Sequence, residues 1–244
     1  MDTLVEARGV QHAIGTRAIL TGLALTIARG EVVGVAGPNG AGKSTLGRLL
    51  LGFSAPTAGT ITIDGVDPAT NRHAHGVGFL HEVGGRGWEQ ATPRALLSLH
   101  LDDGEAVPRD PICRTLGIDP LLDRRIATLS KGQWRAVQLA MALVPRTPFV
   151  LLDEPEAGLD PSAQGRLHEV ITTRAMAGAA VLMLSHHLDS LAVVAGRIHL
   201  LVQGRFHDRF DPAGMSVASL RLRYVRGVDT ALACASTQAP GRAA

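Results

Sequence analysis

The sequence predicts an α/β fold: a mostly parallel sheet with an N-terminal antiparallel β subdomain and an inserted α-helical subdomain. Short, almost wholly apolar runs at 31–36, 149–152 and 180–184 are typical of buried parallel strands. Pro161 to Ala177 is expected to form the crossover helix between the last two, with its proline in the first turn. Helical periodicity dominates from Trp88 to Val144. Strands that alternate with helices in this way indicate this fold class.

Composition indicates a folded chain with one sizeable core. The 244 residues are 45% hydrophobic and 19% charged, which suits one core and a subdomain. The net charge of +2 gives no reason to expect a nucleic-acid surface. No apolar run approaches the ~20 residues that cross a bilayer, and the N-terminus does not resemble a signal peptide. Cys113 and Cys234 lack ligand-spaced partners, so we expect reduced thiols in a cytosolic protein.

The N-terminal segment predicts an antiparallel sheet packed beside the core. Apolar patches alternate from Leu4 to Ile27, and Thr60 to Ile63 leads into the turn pair Asp64-Gly65. Val77 to Leu80 is typical of a further core strand.

The helical block lies between core strands, so it is interpreted as an insertion. We expect one domain over 1–227, with its core at about 1–86 and 148–210, a helical subdomain at about 87–147, and a disordered tail at 228–244. Periodicity and cap residues predict helices from Ser44 to Leu51, Pro93 to His100, Asp110 to Leu116, Pro120 to Arg125 and Gln133 to Val144.

A glycine-rich loop after the first core strand fits the phosphate-loop pattern, Gly, four residues, then Gly-Lys-Ser/Thr. Gly37, Gly40 and Gly42 allow positive φ, which lets backbone N–H groups close around phosphate oxygens. Lys43 places a positive charge on the outer phosphates, and the Ser44 hydroxyl can ligate Mg²⁺. The alternative is a glycine turn without a ligand. The pattern predicts a P-loop NTPase core that binds a nucleoside triphosphate through Gly37, Pro38, Asn39, Gly40, Ala41, Gly42, Lys43, Ser44 and Thr45.

Two other strands end in groups that suit phosphate chemistry, at the edge where parallel sheets bind ligands. Asp153 follows the run 149–152 and is predicted to hold Mg²⁺. Glu154 can polarise an attacking water as general base. His186 follows the run 180–184 and can hydrogen-bond the γ-phosphate. A solvated turn and a structural histidine are the alternatives.

The segment Leu129 to Gln133 precedes an amphipathic helix. Ser130 can cap that helix, and the N–H groups and positive dipole at its start form an anion site. An ordinary N-cap is the alternative for this serine.

Together these motifs resemble the ATP-binding subunits of ABC transporters, from about residue 4 to about residue 210. The order and the spacing of the motifs also match that family. The corresponding segments are Gly37 to Thr45 for Walker A, Leu129 to Gln133 for the signature, Val150 to Glu154 for Walker B, Gly158 to Asp160 for the D-loop and His186 for the switch histidine.

The resemblance implies an ATPase that uses ATP and Mg²⁺ and works as a head-to-tail dimer, either a homodimer or a heterodimer with another ABC ATPase subunit. Each ATP would lie between Walker A of one chain and the signature of the other, touched there by Ser130, Gly132 and neighbouring Gln133. Asp160 would link the two sites. It also implies an integral membrane transporter subunit docked on the helical subdomain, which places the chain on the cytoplasmic face of the membrane.

Two positions depart from the family pattern near the nucleotide. Ile14 stands where a stacking aromatic is expected, so it offers adenine an apolar contact without a π face, and His12 is an alternative contact. Glu82, or alternatively His81, replaces the Q-loop glutamine. A carboxylate there can approach Mg²⁺ but adds negative charge beside phosphate, so we expect slower hydrolysis.

Two further departures lie in the signature and after Walker B. Lys131 replaces the first glycine of the signature, a variant that resembles exporter-type subunits and can direct charge toward phosphate. Its alternative is a solvent-facing lysine. Glu156 replaces a small or aromatic residue, and the sequence offers no physical account of it. Glu82 and the segment Ser219 to Tyr224 also resemble ABC-2-type and antibiotic exporters, although an ordinary surface helix explains the segment equally well.

The leading hypothesis is therefore the ATP-hydrolysing motor subunit of an exporter, with Glu154 and His186 as catalytic residues. The alternatives are a degenerate module that binds ATP and dimerises with a catalytic partner, and a soluble ABC ATPase outside transport. A small-molecule kinase is disfavoured because a kinase needs no signature motif.

Overall fold

The computed structural model describes residues 2–68, 77–80, 87–99 and 110–237. Within these ranges the strands form two sheets, and helices are interspersed among the strands along the chain. The strands and helices are β1 (Thr3–Ile14), β2 (Arg17–Ala28), β3 (Val32–Ala36), α1 (Lys43–Leu50), β4 (Ala58–Ile63), β5 (Val77–Leu80), α2 (Pro93–Ser98), α3 (Pro111–Thr115), α4 (Lys131–Leu143), β6 (Phe149–Asp153), α5 (Pro161–Met176), β7 (Ala180–Ser185), α6 (Leu188–Val194), β8 (Arg197–Val202), β9 (Arg205–Phe210) and α7 (Val217–Thr237).

The central sheet has six strands in the order β5-β6-β7-β3-β8-β9. All neighbouring pairs are parallel except β8 and β9, which form an antiparallel edge hairpin. Strands β3, β6 and β7 are buried at every position, as their apolar sequences predict. Because β6, β7 and β3 are neighbours, their carboxyl ends meet at one edge of the sheet.

The N-terminal sheet has three antiparallel strands in the order β2-β1-β4. Its inward-facing side chains, Leu23 and Ile27 among them, pack with Val33 and Val35 of β3 and with α1. The predicted fold class, a mostly parallel core sheet with an antiparallel N-terminal sheet, is confirmed.

The helices between β5 and β6 pack on the opposite side of the central sheet. Apolar residues of α3 and α4 share one core with Val150 and Leu152 of β6. The predicted helix from Pro120 to Arg125 is wrong: only a 3₁₀ turn forms, at Asp119–Leu121. The backbone here makes three-residue hydrogen bonds, Leu122 N to Asp119 O for example, and this tight pattern rarely extends.

The C-terminal helix α7 corrects the expectation of a disordered tail at 228–244. The helix continues to Thr237, and residues 238–244 lie outside the described part of the chain. Leu220 and Ala231 are buried against the rest of the protein, and this burial explains why the segment is ordered. Among the residues that the structure describes, no helix is long and apolar enough to cross a membrane.

Candidate functional site: a nucleotide site at the carboxyl edge of the sheet

The phosphate loop connects β3 to α1, and its glycines serve two different purposes. Gly40 has a φ of 78° and Gly42, the N-cap of α1, a φ of 107°. Both angles lie in the left-handed region that favours glycine. The expectation is wrong for Gly37, which lies outside that region. Glycine is needed at that position for space, because a Cβ there would collide with the backbone oxygen of Leu201.

Lys43 places its ammonium group inside this loop. The side chain is only 7% exposed. Its Nζ donates to the carbonyl of Gly37 at 2.8 Å and to that of Pro38 at 3.4 Å. It also lies 3.4 Å from Oε1 of Glu154. The Lys43 ammonium group therefore contacts both the phosphate loop and the proposed base, Glu154.

Ser44 and Asp153, two of the three predicted Mg²⁺ ligands, line the same small cavity of about 30 Å³. Ser44 is exposed at the start of α1, and Asp153 is buried at the end of β6. A hydroxyl and a carboxylate are oxygen ligands of the kind that Mg²⁺ prefers, so these residues fit the ion. The third predicted ligand, Glu82, and its alternative His81 lie outside the described residues.

Glu154 follows β6 in an uncommon backbone conformation, with a φ of 47°. Its N–H donates to the carbonyl of Leu184 at 2.9 Å. Its own carbonyl accepts a hydrogen bond from the buried Arg135 of α4, which also donates to Pro155 at 3.4 Å. These bonds aim the glutamate at the loop.

The Glu154 carboxylate is enclosed by donors. Oε2 accepts hydrogen bonds from the His186 ring at 2.8 Å, the His186 N–H at 3.3 Å and the Ser185 hydroxyl at 3.2 Å. Burial by itself raises the pKa of Glu154, but the hydrogen bond from His186 and the positive charge of Lys43 outweigh it. The net pKa is lowered, so the group remains ionised as a base must.

Glu154, His186 and His187 each bring one ligand atom to within 4.8 Å of the others. Since Nδ1 of His186 and Oε2 of Glu154 are hydrogen-bonded to each other, the arrangement suits a base and its partner. The two imidazole rings lie with centroids 4.0 Å apart.

The signature residues and the D-loop line a second groove, of about 230 Å³. Ser130 caps α4 by accepting from Gln133 N at 3.2 Å, and the Gln133 side chain accepts from Ser130 N at 3.0 Å. Asp160 caps α5 in the same way, through Ala163. The N-cap function of Ser130 is thus present, and Gly132 and Asp160 lie in the same groove. Lys131 is exposed beside it.

Ile14 lies at the end of β1 with 64% of its surface exposed. The Ile14 side chain is therefore accessible for contact with a flat apolar ligand. The alternative contact, His12, is within hydrogen-bond distance of the Ala55 carbonyl, at 3.2 Å. The adenine contact of Ile14 stays a prediction.

Comparisons with known proteins agree with this geometry. The family model described as ABC transporter matches residues 20–157, which is more than half of the chain. The chain belongs to the ABC transporter family. It is an ATP-binding subunit, and ATP-binding subunits of this family are ATPases.

This ABC subunit is similar to relatives named for both directions of transport. It is 37% identical over 189 residues to the thiamine import ATP-binding protein ThiQ of Escherichia coli O157:H7, covering 74% of this chain and 81% of that one. It is 32% identical over 209 residues to the Nod factor export ATP-binding protein I of Mesorhizobium japonicum, covering 82% of this chain. The chain spans 61% of the length of that Nod factor protein.

Solved structures share the fold of this ABC subunit. An ATP-binding subunit of an ABC transporter superposes with a TM-score of 0.79 at 26% identity, covering 91% of this chain and 99% of that one. A bacterial Atm1-family ABC exporter with ATP bound gives a TM-score of 0.74 at 26% identity, over 91% of this chain and 42% of that one.

The sequence motifs did not reveal the roles of three residues in this ABC site. Arg135 holds the backbone after β6, and Ser185 and Glu156 contact one another beside Glu154. Glu156 was recognised only as a departure from the family pattern, and the sequence did not show that this buried carboxyl meets Ser185.

Proposed function

We propose that this chain is the ATP-hydrolysing motor subunit of an ABC exporter, in which closure of a dimer on ATP drives transport through a separate membrane subunit. The observation that carries the proposal is the Glu154 carboxylate, kept ionised by His186 and Lys43 beside the phosphate loop. A base next to a phosphate-binding cation is the arrangement that hydrolysis of a phosphoanhydride requires.

In this mechanism the chain's own residues bind, orient and move a proton. The loop N–H groups and the Lys43 ammonium hold the β- and γ-phosphates. Glu154 accepts a proton from the attacking water as the water oxygen bonds to the γ-phosphorus and the bond from that phosphorus to the bridging β–γ oxygen breaks, which yields ADP and phosphate. His186 fixes the carboxylate and is placed to hydrogen-bond the γ-phosphate. Mg²⁺, held by Ser44 and Asp153, would neutralise charge on the phosphate oxygens.

The signature groove supports a shared site. Ser130 and Gly132 line it at the positive end of the 13-residue helix α4, as an anion site requires. We propose that this groove receives the γ-phosphate of ATP bound to a second subunit, either another copy or a different ABC ATPase. Asp160, in the same groove, would then connect the two sites. Closure on ATP is a shift between two states with different affinity for it.

We propose one domain over 1–227, with a helical subdomain at about 87–147. The membrane subunit would dock on this helical subdomain, at the cytoplasmic face of the membrane. We propose export because Lys131 and the α7 segment resemble exporter subunits. The Nod factor export relative also covers more of this chain than the thiamine import relative does. Transport into or out of vesicles that contain the co-purified membrane subunit tests the direction.

A degenerate ATP-binding module is the second candidate function. The exposed Ile14, which offers no π face for adenine, favours it. The two candidates differ in whether the purified chain alone turns over ATP, which steady-state phosphate release measures.

The deciding experiment replaces Glu154 with Gln, which keeps shape and loses the base. We expect ATP binding to be retained, turnover to fall by about 10²- to 10⁴-fold, and an ATP-bound dimer to accumulate in size-exclusion chromatography. Glu169→Gln on the exposed face of α5 is the matched control and should turn over normally. Unchanged hydrolysis in Glu154→Gln would refute the proposed base.

A further inference from the structure

A second carboxyl group lies behind the proposed base. Glu156 is only 3% exposed and Ser185 is fully buried. The Ser185 hydroxyl makes a short contact with Oε1 of Glu156 and lies 3.2 Å from Oε2 of Glu154. The same hydroxyl oxygen accepts the His187 N–H at 2.9 Å. One serine therefore bridges two glutamates.

The single hydroxyl proton of Ser185 determines which group donates in its contacts with Glu154 and Glu156. A serine hydroxyl has one proton to donate, so it cannot satisfy two ionised carboxylates at once. One of the two glutamates must carry a proton for both contacts to be hydrogen bonds. Glu154 is the ionised one, because Lys43 and His186 surround it. Glu156 is the deeper of the two, and among the described residues its Oε2 has no hydrogen-bond partner.

Burial also favours a neutral Glu156. It raises the pKa of Glu156, and the neighbouring charge of Glu154 raises it further, whereas a hydrogen bond that Ser185 would donate to an ionised Glu156 acts in the opposite direction. A neutral carboxyl avoids both an unpaired buried charge and repulsion between two carboxylates.

We propose that Glu156 is a positioning residue for ATP hydrolysis: as a neutral acid it donates to Ser185, which in turn donates to the Glu154 carboxylate. A hydroxyl that accepts a strong hydrogen bond becomes a stronger donor, so the chain fixes the orientation of the base. This inference rests on the proposed role of Glu154. Glu156 does not touch the nucleotide in this arrangement, so it acts on the chemical step and leaves ATP affinity unchanged.

The test compares kcat and KM for ATP hydrolysis by the full-length chain. Glu156→Leu removes the donor and should lower kcat by about three- to tenfold, the effect of one hydrogen bond, with KM unchanged. Glu156→Gln supplies a neutral amide donor and should restore kcat to within about twofold of the parent. Glu169→Leu, on the exposed face of α5, is the control for replacing a glutamate with leucine.

A double-mutant cycle separates positioning from packing. In a Ser185→Ala background, which has no bridge, Glu156→Leu should lower kcat no further. Thermal unfolding of each variant shows whether it is folded, and kcat is expressed per ATP-binding molecule. Parental kcat in Glu156→Leu, low kcat in a folded Glu156→Gln, or additive losses in the cycle would each overturn the inference. Active Glu154→Gln would instead overturn the role of the base itself.

Discussion

At the scale of single residues, Glu154 is held in a backbone conformation that costs free energy. Asp64 and Gln203 are the other non-glycine residues with positive φ in the described chain, and both lie in turns. Such a conformation costs on the order of 1 kcal/mol and persists when neighbouring groups fix it. Arg135 supplies that support, because its guanidinium binds the carbonyls of Glu154 and Pro155. The helix that begins in the signature thus holds the last residue of Walker B.

Replacing Arg135 with Met should loosen this turn. Two carbonyls would lose a charged donor, so we expect a loss of about 2 kcal/mol in the free energy of unfolding and a lower kcat. Urea unfolding and ATPase assays measure the two effects. Arg125→Met, at an exposed arginine, is the control and should change neither. If a folded Arg135→Met keeps its full kcat, the contact supports the fold only.

The sequence predicted the site residues whose chemistry is local and missed those whose partners are distant in the chain. Asp153 is recognisable because an apolar run precedes it, and Lys43 because glycines surround it. Ser185 gave no such signal, since its contact with Glu156 joins residues 29 apart that meet only when β6 pairs with β7. Gly37 was predicted for the wrong reason, because the space beside it is taken by Leu201 of β8.

At the scale of elements, Ser130 both caps α4 and lines the signature groove. The capping box of Ser130 and Gln133 satisfies backbone groups at the start of the helix. Ser130, Gly132 and Gln133 also line the groove. Stability and the proposed contact with the partner's phosphate therefore depend on one side chain.

Substituting Ser130 with Asp separates these two roles. Aspartate caps a helix as well as serine does, so the free energy of unfolding should hardly change. Its negative charge would face the partner's γ-phosphate, and like charges brought together cost several kcal/mol, so turnover should fall more than tenfold. Ser130→Ala should instead cost about 1 kcal/mol of stability. Normal turnover in Ser130→Asp would contradict the proposed shared site.

Element boundaries were predictable where the helix or strand repeats an apolar pattern. The observed ends of strands β5, β6 and β7 differ from the predicted ends by at most one residue. Hairpin β8–β9 and helix α6 were not predicted, and the continuation of α7 beyond residue 227 was missed because its support comes from tertiary contacts. Leu220 and Tyr224 pack into the main core, an arrangement that their spacing alone does not reveal.

At the scale of the whole molecule, the central sheet joins two cores. Successive residues of β3 point to opposite faces, so Val32 packs with the helical side and Val33 with the N-terminal sheet. Disruption of this sheet should therefore unfold both sides together. The edge hairpin β8–β9 belongs to the same sheet, and it contains a buried histidine, His199.

His199 should make the stability of the whole chain depend on pH. Burial lowers its pKa from 6.5 to about 4, helped by the charges of Arg197 and Arg209. The unfolded state then binds more protons than the folded state between pH 6.5 and 4, so stability is lost as pH falls through that window. The full loss is about 3 kcal/mol, and burial of His168 acts in the same direction.

Urea unfolding at pH 7 and pH 4.5 checks this for the parent and for His199→Leu. The variant should lose less free energy of unfolding between the two pH values, because one neutral buried imidazole has been removed while His168 still responds. His207→Leu, which replaces an exposed histidine in the same hairpin, should keep the parental pH dependence. An equal loss in His199→Leu and the parent would mean that His199 is protonated in the folded chain without penalty.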